Sequence, residues 1–471
     1  MNIDINLKIF SLNWKISISK DWVRFDVILI VILVSAISGY WGSKLILTLL
    51  LVLLCGIAGA IILLKQPNLG FIFIFLGGMF IPFTGPSGLN AAVLMVPLLL
   101  GLWFLDMLVI KRNFQFINSR ILLPVLLFLM ISVFAFGLGQ IPWFIFANQA
   151  PLDAQVGGFA IFMFSAGALI LAAHLIKDEW WLEIIVWIFI GLGSVYVLGR
   201  FFELRFIDRI YQRGFSAGSM FWTWLVSLAF GQAIFNNQLR LRFRVGLFLV
   251  VIITFYVAYV QANDWKSGWL PPLVSIAVLL GLRYKRLITL AIPVAVITAG
   301  YVAAKLIATD EYSWGTRVDA WLIVLEISRV SPLLGLGFSN YYWYTPLYPI
   351  RGWYISFNSH SQYVDLIAQV GIVGLLCFLW IFFEIGRLSW TLGKQLPDGF
   401  ARSYSYSVLA GAAGTLVAAF LVDWVLPFVY NIGFTGFRAS ILPWIFFGGL
   451  VSVEQIYNRT KNLNSQRGLN G

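Results

Sequence analysis

Charge is what this chain has least of. Asp, Glu, Lys and Arg make up 11% of its 471 residues, against about 25% in a soluble domain. Apolar residues in long blocks replace them and reach 60% of the chain, which excludes an ordinary soluble globule. Cysteine is nearly absent. Cys55 and Cys377 both lie inside apolar blocks, where a thiol packs as a small apolar group, so neither a disulfide nor a metal site is expected. Histidine is as scarce: His174 and His360 are the only two, and without a Cys/His cluster no bound zinc is expected. No small-residue cleavage site follows the first apolar block, which Lys8, Lys15, Lys20 and Arg24 precede. That block reads as a retained helix and not as a removed signal.

What is present is a series of apolar blocks edged by Trp and Tyr, in a chain that is 17% aromatic. A membrane-spanning helix needs about twenty apolar residues. Blocks of that kind run over 25–41, 44–64, 69–83, 89–110, 120–138, 157–176, 181–201, 217–235, 245–261, 268–282, 287–307, 363–386, 404–424 and 439–456. The expectation is an all-α polytopic membrane protein of about fourteen spans (twelve or thirteen if the short third and tenth blocks fail), with both termini cytoplasmic. Residues 1–199 hold the first spans, 200–390 a core, 391–456 the last spans and 457–471 a cytoplasmic tail.

The formal charge of +12 would suggest nucleic acid in a soluble protein. Here the cations lie in short loops, so the positive-inside rule explains most of them. Fourteen spans starting inside put 21 of the 32 Lys and Arg in the cytoplasm and 11 outside. Eight of those 11 fall in three external loops, 200–217, 262–268 and 308–362. The last is the one long loop. Val318, Trp321, Leu322 and Leu325 predict an amphipathic helix in it, which Ser331-Pro332 ends before a turn at Gly335 and Gly337.

These loops hold the residues suited to chemistry. Arg205, Arg209 and Arg213 are spaced i, i+4, i+8, one face of a helix, and Arg grips phosphate oxygens two at a time. Reaching to lipid headgroups is the alternative for Arg205 and Arg209. Lys266 is a further candidate anion ligand, or the partner of Asp264. His360 stands at the outer mouth of a span, flanked by Asn358, Ser361 and Tyr363. An imidazole can accept a proton near neutral pH. His174, near the cytoplasmic end of its span, reads as a packing residue. External cations that gather an anion, together with a neutral His, suit displacement of a phosphate leaving group by a hydroxyl. The cations would stabilise the charge on the departing pyrophosphate.

At these residues the sequence resembles the O-antigen ligase and polymerase-like superfamily. Ser331-Pro332-Leu333-Leu334-Gly335-Leu336-Gly337 resembles its Asn-Pro-hydrophobic-Gly-x-Gly run. His360, Ser361, nine residues, then Gly371 and Gly374 fit its His-[Asn/Ser/Gln]-nine-Gly-x-x-Gly pattern, with the two glycines expected to allow close helix packing. Thr316-Arg317 with Trp321, Arg213-Gly214-Phe215-Ser216 and Lys266-Ser267-Gly268 resemble three further elements. Lys266 stands where Arg is more usual, and Ser219-Met220 lack the Pro-Asn of the Arg-x-x-Gly element.

The resemblance implies a GT-C-like helical enzyme of the bacterial plasma membrane that needs no metal or other cofactor. Its partners would be an undecaprenyl-pyrophosphate-linked glycan donor, a saccharide or lipid-core acceptor and membrane lipids, with no nucleic acid. It implies His360 as the base or the acceptor-orienting residue, and Arg213, Arg317 and Lys266 as pyrophosphate ligands, at the external face. Arg209, Tyr363 and Asn358 would support them. Ligase and polymerase share this chemistry and stay open. The alternative from another class is a transporter or flippase, against which the apparent lack of an internal repeat counts.

Overall fold

The computed structural model describes residues 3–9, 12–18, 44–85, 88–113, 115–261, 266–284, 286 and 311–469. The spans expected over 25–41 and 287–307 lie outside these residues, as do 262–265 and 308–310 of two external loops. The chain divides into two compact units, Met1–Gln66 and Pro67–Gly471.

The first unit adds a short hairpin to an otherwise helical chain. Strands β1 (Ile3–Ile9) and β2 (Leu12–Ile18) pair antiparallel, with Ile3 opposite Ile18 and Ile9 opposite Leu12. The cause is visible in the sequence, because IDINLKI and LNWKISI alternate apolar and polar at every position, the period of a strand and not of a helix. An apolar helix follows, α1 (Lys44–Lys65).

The second unit is helical. Its main elements are α2 (Leu69–Phe80), α3 (Ala91–Leu105), α4 (Leu122–Leu138), α5 (Leu152–Leu175), α6 (Glu179–Phe201), α7 (Ser219–Phe235) and α8 (Leu241–Tyr256). Then come α9 (Lys266–Arg283), α10 (Glu311–Ser328), α11 (Asn340–Tyr344), α12 (Gln362–Gln395), α13 (Phe400–Leu421) and α14 (Gly433–Leu469). Among the described residues, seven helices of the chain are long and apolar enough to cross a membrane. Four shorter apolar helices stand beside them, including α2 and α7. The 12 residues of α2 rise only about 18 Å, well short of a hydrocarbon core of about 30 Å. Arg438, itself 3% exposed, closes the end of α2. Its guanidinium donates to the carbonyls of Gly77, Gly78, Ile81 and Phe83 at 2.9–3.3 Å. A cation there meets both the carbonyls at the helix end and the negative end of the helix dipole.

All 17 residues of α7 are buried, so it is the axis around which the unit packs. Hydrogen bonds fix the two ends of the bundle. At one end, the Ile117 N–H donates to His174 Nε2 at 3.1 Å, Ser119 to Glu454 at 2.7 Å, and Gln238 to the Asp398 carbonyl at 2.8 Å. This end holds Lys111, Arg112, Arg120, Lys177, Arg240, Arg242, Arg244, Lys394 and Arg402. The other end holds the loop after α6, the starts of α7 and α9, all of α10 and α11, and the segment between α13 and α14.

Candidate active site

The amphipathic helix expected after residue 317 is α10; of its expected stripe Trp321 and Leu325 pack against the core, but Leu322 does not. Ala320, Val324 and Ile327 are buried, whereas Leu322 is 62% exposed. Val324 and Ile327 pack with Leu336, Tyr341, Tyr344, Val364 and Phe428. Arg317 and Trp321, one turn apart, also make polar contacts. Arg317 Nη1 donates to the Leu421 carbonyl at 2.9 Å, and Trp321 Nε1 to the Ser359 carbonyl at 2.7 Å.

Those two contacts bracket His360. The imidazole is half-buried and its residue holds φ 50°, the left-handed region that a non-glycine residue seldom occupies. Asn358 Nδ2 donates to Asp423 Oδ2 at 3.2 Å, and Asn431 Nδ2 to Asp423 Oδ1 at 2.7 Å. Asp423 is fully buried. Burial lowers the His360 pKa from its ordinary 6.5; the Asp423 carboxylate pulls it back up and the Arg317 guanidinium pushes it further down. Burial also raises the Asp423 carboxyl, opposed by His360, Asn431 and Asn358. Arg317, Asn358 and His360 are thus brought together, and with them Asp423. Sequence reasoning missed Asp423, although an isolated carboxylate in the run Phe420-Leu421-Val422-Asp423-Trp424 is an available signal.

Tyr363 serves otherwise: its hydroxyl donates to the Leu416 carbonyl at 2.7 Å and so ties α12 to α13. His174 packs as expected, with Nδ1 2.8 Å from the Ile170 carbonyl and Nε2 accepting from Ile117.

Arg213 lines a separate hollow of about 350 Å³, with Tyr196, Arg200, Ser216, Trp222 and Gly268. Lys266 begins the helix whose third residue, Gly268, lines this hollow. The single helical face expected for Arg205, Arg209 and Arg213 is not formed. Ile207–Ile210 and Arg213–Ser216 are separate helical turns, with Tyr211 extended between them. The Gln212 N–H donates to the Met79 carbonyl at 2.7 Å and draws the chain onto the end of α2. Arg205 and Arg209 are exposed, and Arg200 pairs with Asp208 at 3.1 Å. The two clusters adjoin where α7 starts: a Cβ on Gly218 would lie 3.6 Å from the Trp424 ring, next to Asp423.

The two glycine motifs interlock through their backbones. α12 breaks at Gly371, which holds φ 73°. The broken turn pairs with the segment before α11: Leu336 N donates to the Ala368 carbonyl at 2.8 Å and Gly337 N to the Gln369 carbonyl at 3.1 Å. In return, Ile372 N donates to the Pro332 carbonyl at 2.9 Å. A Cβ on Gly371 would sit 2.1 Å from the Leu333 carbonyl oxygen. Gly371 therefore opens a helix to its neighbour, where plain close packing was expected.

Residues 213–379 match the family model described as O-antigen ligase, a span that opens at Arg213 and includes Lys266, Arg317 and His360. No curated protein matches the chain. The protein is an integral membrane protein, and over residues 213–379 it is similar to the O-antigen ligase family.

Proposed function

We propose that the protein moves a glycan from undecaprenyl pyrophosphate to an acceptor hydroxyl at the outer face of the bacterial plasma membrane, as a GT-C-like enzyme. The observation that carries this reading is His360 set between Asp423 and Arg317 at the end of the bundle that also holds Arg213 and the start of α9. His360, neutral because burial depresses its pKa, takes the proton of the acceptor hydroxyl. The hydroxyl oxygen bonds to the anomeric carbon, and the bond from that carbon to the pyrophosphate oxygen breaks. Asp423 stabilises the imidazolium that forms. Arg213, Arg317 and Lys266 bear the charge that builds on the leaving pyrophosphate, which departs without a proton. Asn358 holds Asp423 in place.

Sidedness supports the same reading. The end opposite His360 gathers the cations of short loops, as a cytoplasmic face does, which supports a site on the outer side.

The purified protein given polyprenyl-pyrophosphate-linked glycan tests the proposal. Lengthening of the glycan without added acceptor identifies a polymerase, and transfer only when a lipid-core acceptor is supplied identifies a ligase. Absence of transfer under both conditions contradicts the reading.

A further inference from the structure

We propose that Gln362 and Asp365, one turn apart at the start of α12, are positioning residues that hold His360 and Asp423 in register. The inference rests on reading His360 as the base. Both side chains are fully buried and lie beneath the site, so their action on the reaction passes through other groups.

Asp365 holds the turn that carries His360. Its Oδ1 accepts from the Tyr341 hydroxyl and lies 2.7 Å from the Ser359 hydroxyl. That hydroxyl accepts the Ser361 N–H at 3.1 Å, and the Asp365 N–H donates to the Ser361 carbonyl at 2.9 Å. Both neighbours of His360 are thus tied to Asp365, Ser359 through the carboxylate and Ser361 through the backbone N–H and the Ser359 hydroxyl. A residue at φ 50° keeps that conformation only where its surroundings fix it.

Gln362 holds the other half. Its Oε1 accepts the Leu426 N–H at 2.8 Å, three residues beyond Asp423. Asp423 belongs to the segment joining α13 to α14, far from His360 along the chain. One helical turn therefore anchors two separate segments, and the spacing of the imidazole from the carboxylate depends on it. Asp423 and Arg317 are the charged groups that act on His360 from the segments packed around it, while Asp365 and Tyr341 stand behind the turn.

The test measures transfer against pH with the full chain in liposomes and polyprenyl-pyrophosphate-linked glycan as donor. Gln362→Leu frees Asp423 from its register, so His360 loses an upward pull. The acid limb of kcat/KM then moves to lower pH by about 1 unit. Asp365→Leu loosens the turn, so kcat falls about 10- to 100-fold while the donor KM stays within about twofold. Asp365→Asn keeps an acceptor oxygen for Ser359 and Tyr341 and retains kcat within about threefold. Should Asp365→Leu fail to fold, Ser359→Ala tests the same link and lowers kcat at unchanged KM.

A wild-type acid limb in Gln362→Leu overturns the inference. So does wild-type kcat in Asp365→Leu or Ser359→Ala, or an Asp365→Asn as impaired as Asp365→Leu. His360→Ala separates the two readings. If it is inactive while the positioning variants behave as wild type, only this inference fails; if it turns over normally, the base reading has failed and this inference with it.

Discussion

At the scale of the residue, two charges pull on His360 in opposite directions, which gives predictions of opposite sign. As the proposed base, His360 works when neutral, so the acid limb of kcat/KM is expected to follow its pKa, which burial lowers from the ordinary 6.5. Asp423→Asn removes an upward pull and moves the limb to lower pH. Arg317→Ala removes a downward pull and moves it to higher pH. Rate measurements between about pH 5 and 8 check both; limbs shifting together would show that neither charge acts on the base. The imidazole and the guanidinium were legible in the sequence, because a scarce His beside misplaced external cations is conspicuous in so apolar a chain. Asp423 was not, since the residues around it read as the end of a span and its partners Asn358 and Asn431 flank it only in the fold.

At the scale of the element, the break in α12 at Gly371 seats the segment before α11 against that helix. Gly371→Ala and Gly335→Ala each place a Cβ against backbone at a positive φ. Such Cβ atoms would lie 2.1 Å from the Leu333 oxygen and 2.5 Å from the Gln369 carbonyl group. Each substitution should cost about 2 kcal/mol or more, read as a lower midpoint in thermal unfolding of the solubilised protein. Unchanged midpoints would contradict the interlocked geometry. The motifs were readable as strings, but their interlocking was not: periodicity reports which face of a helix is apolar, not that the helix opens to accept a neighbouring chain. α10 carries the same lesson. Its apolar pattern predicts Leu322 in the interior, yet Leu322 is exposed while Trp321 and Leu325 pack inward beside the buried Val324 and Ile327. The hairpin of β1 and β2 went unread for another reason, since a search for long apolar blocks passes over a strict two-residue alternation.

At the scale of the whole molecule, the bundle has a cation-rich end formed by short loops and an end that carries the site. In a background without Cys55 and Cys377, Trp353→Cys should react with an impermeant thiol reagent added outside intact cells. Asp398→Cys should react only after the inner face is opened; the reverse pattern would invert the topology. One cation at the site end has a different task. Arg438→Met leaves four backbone carbonyls without their buried donor and should cost about 3 kcal/mol of stability, read by thermal unfolding. Equal stability would show that α2 ends without help.

The most direct test of the account is a single-turnover assay of donor cleavage, in which wild-type and His360→Ala protein receive the same lipid-linked glycan and acceptor. Release of polyprenyl pyrophosphate coupled to glycan transfer is expected in the wild type. In His360→Ala the expected rate is about 10²- to 10⁴-fold lower, with donor binding retained through Arg213 and Arg317. Transfer by His360→Ala at the wild-type rate would contradict it.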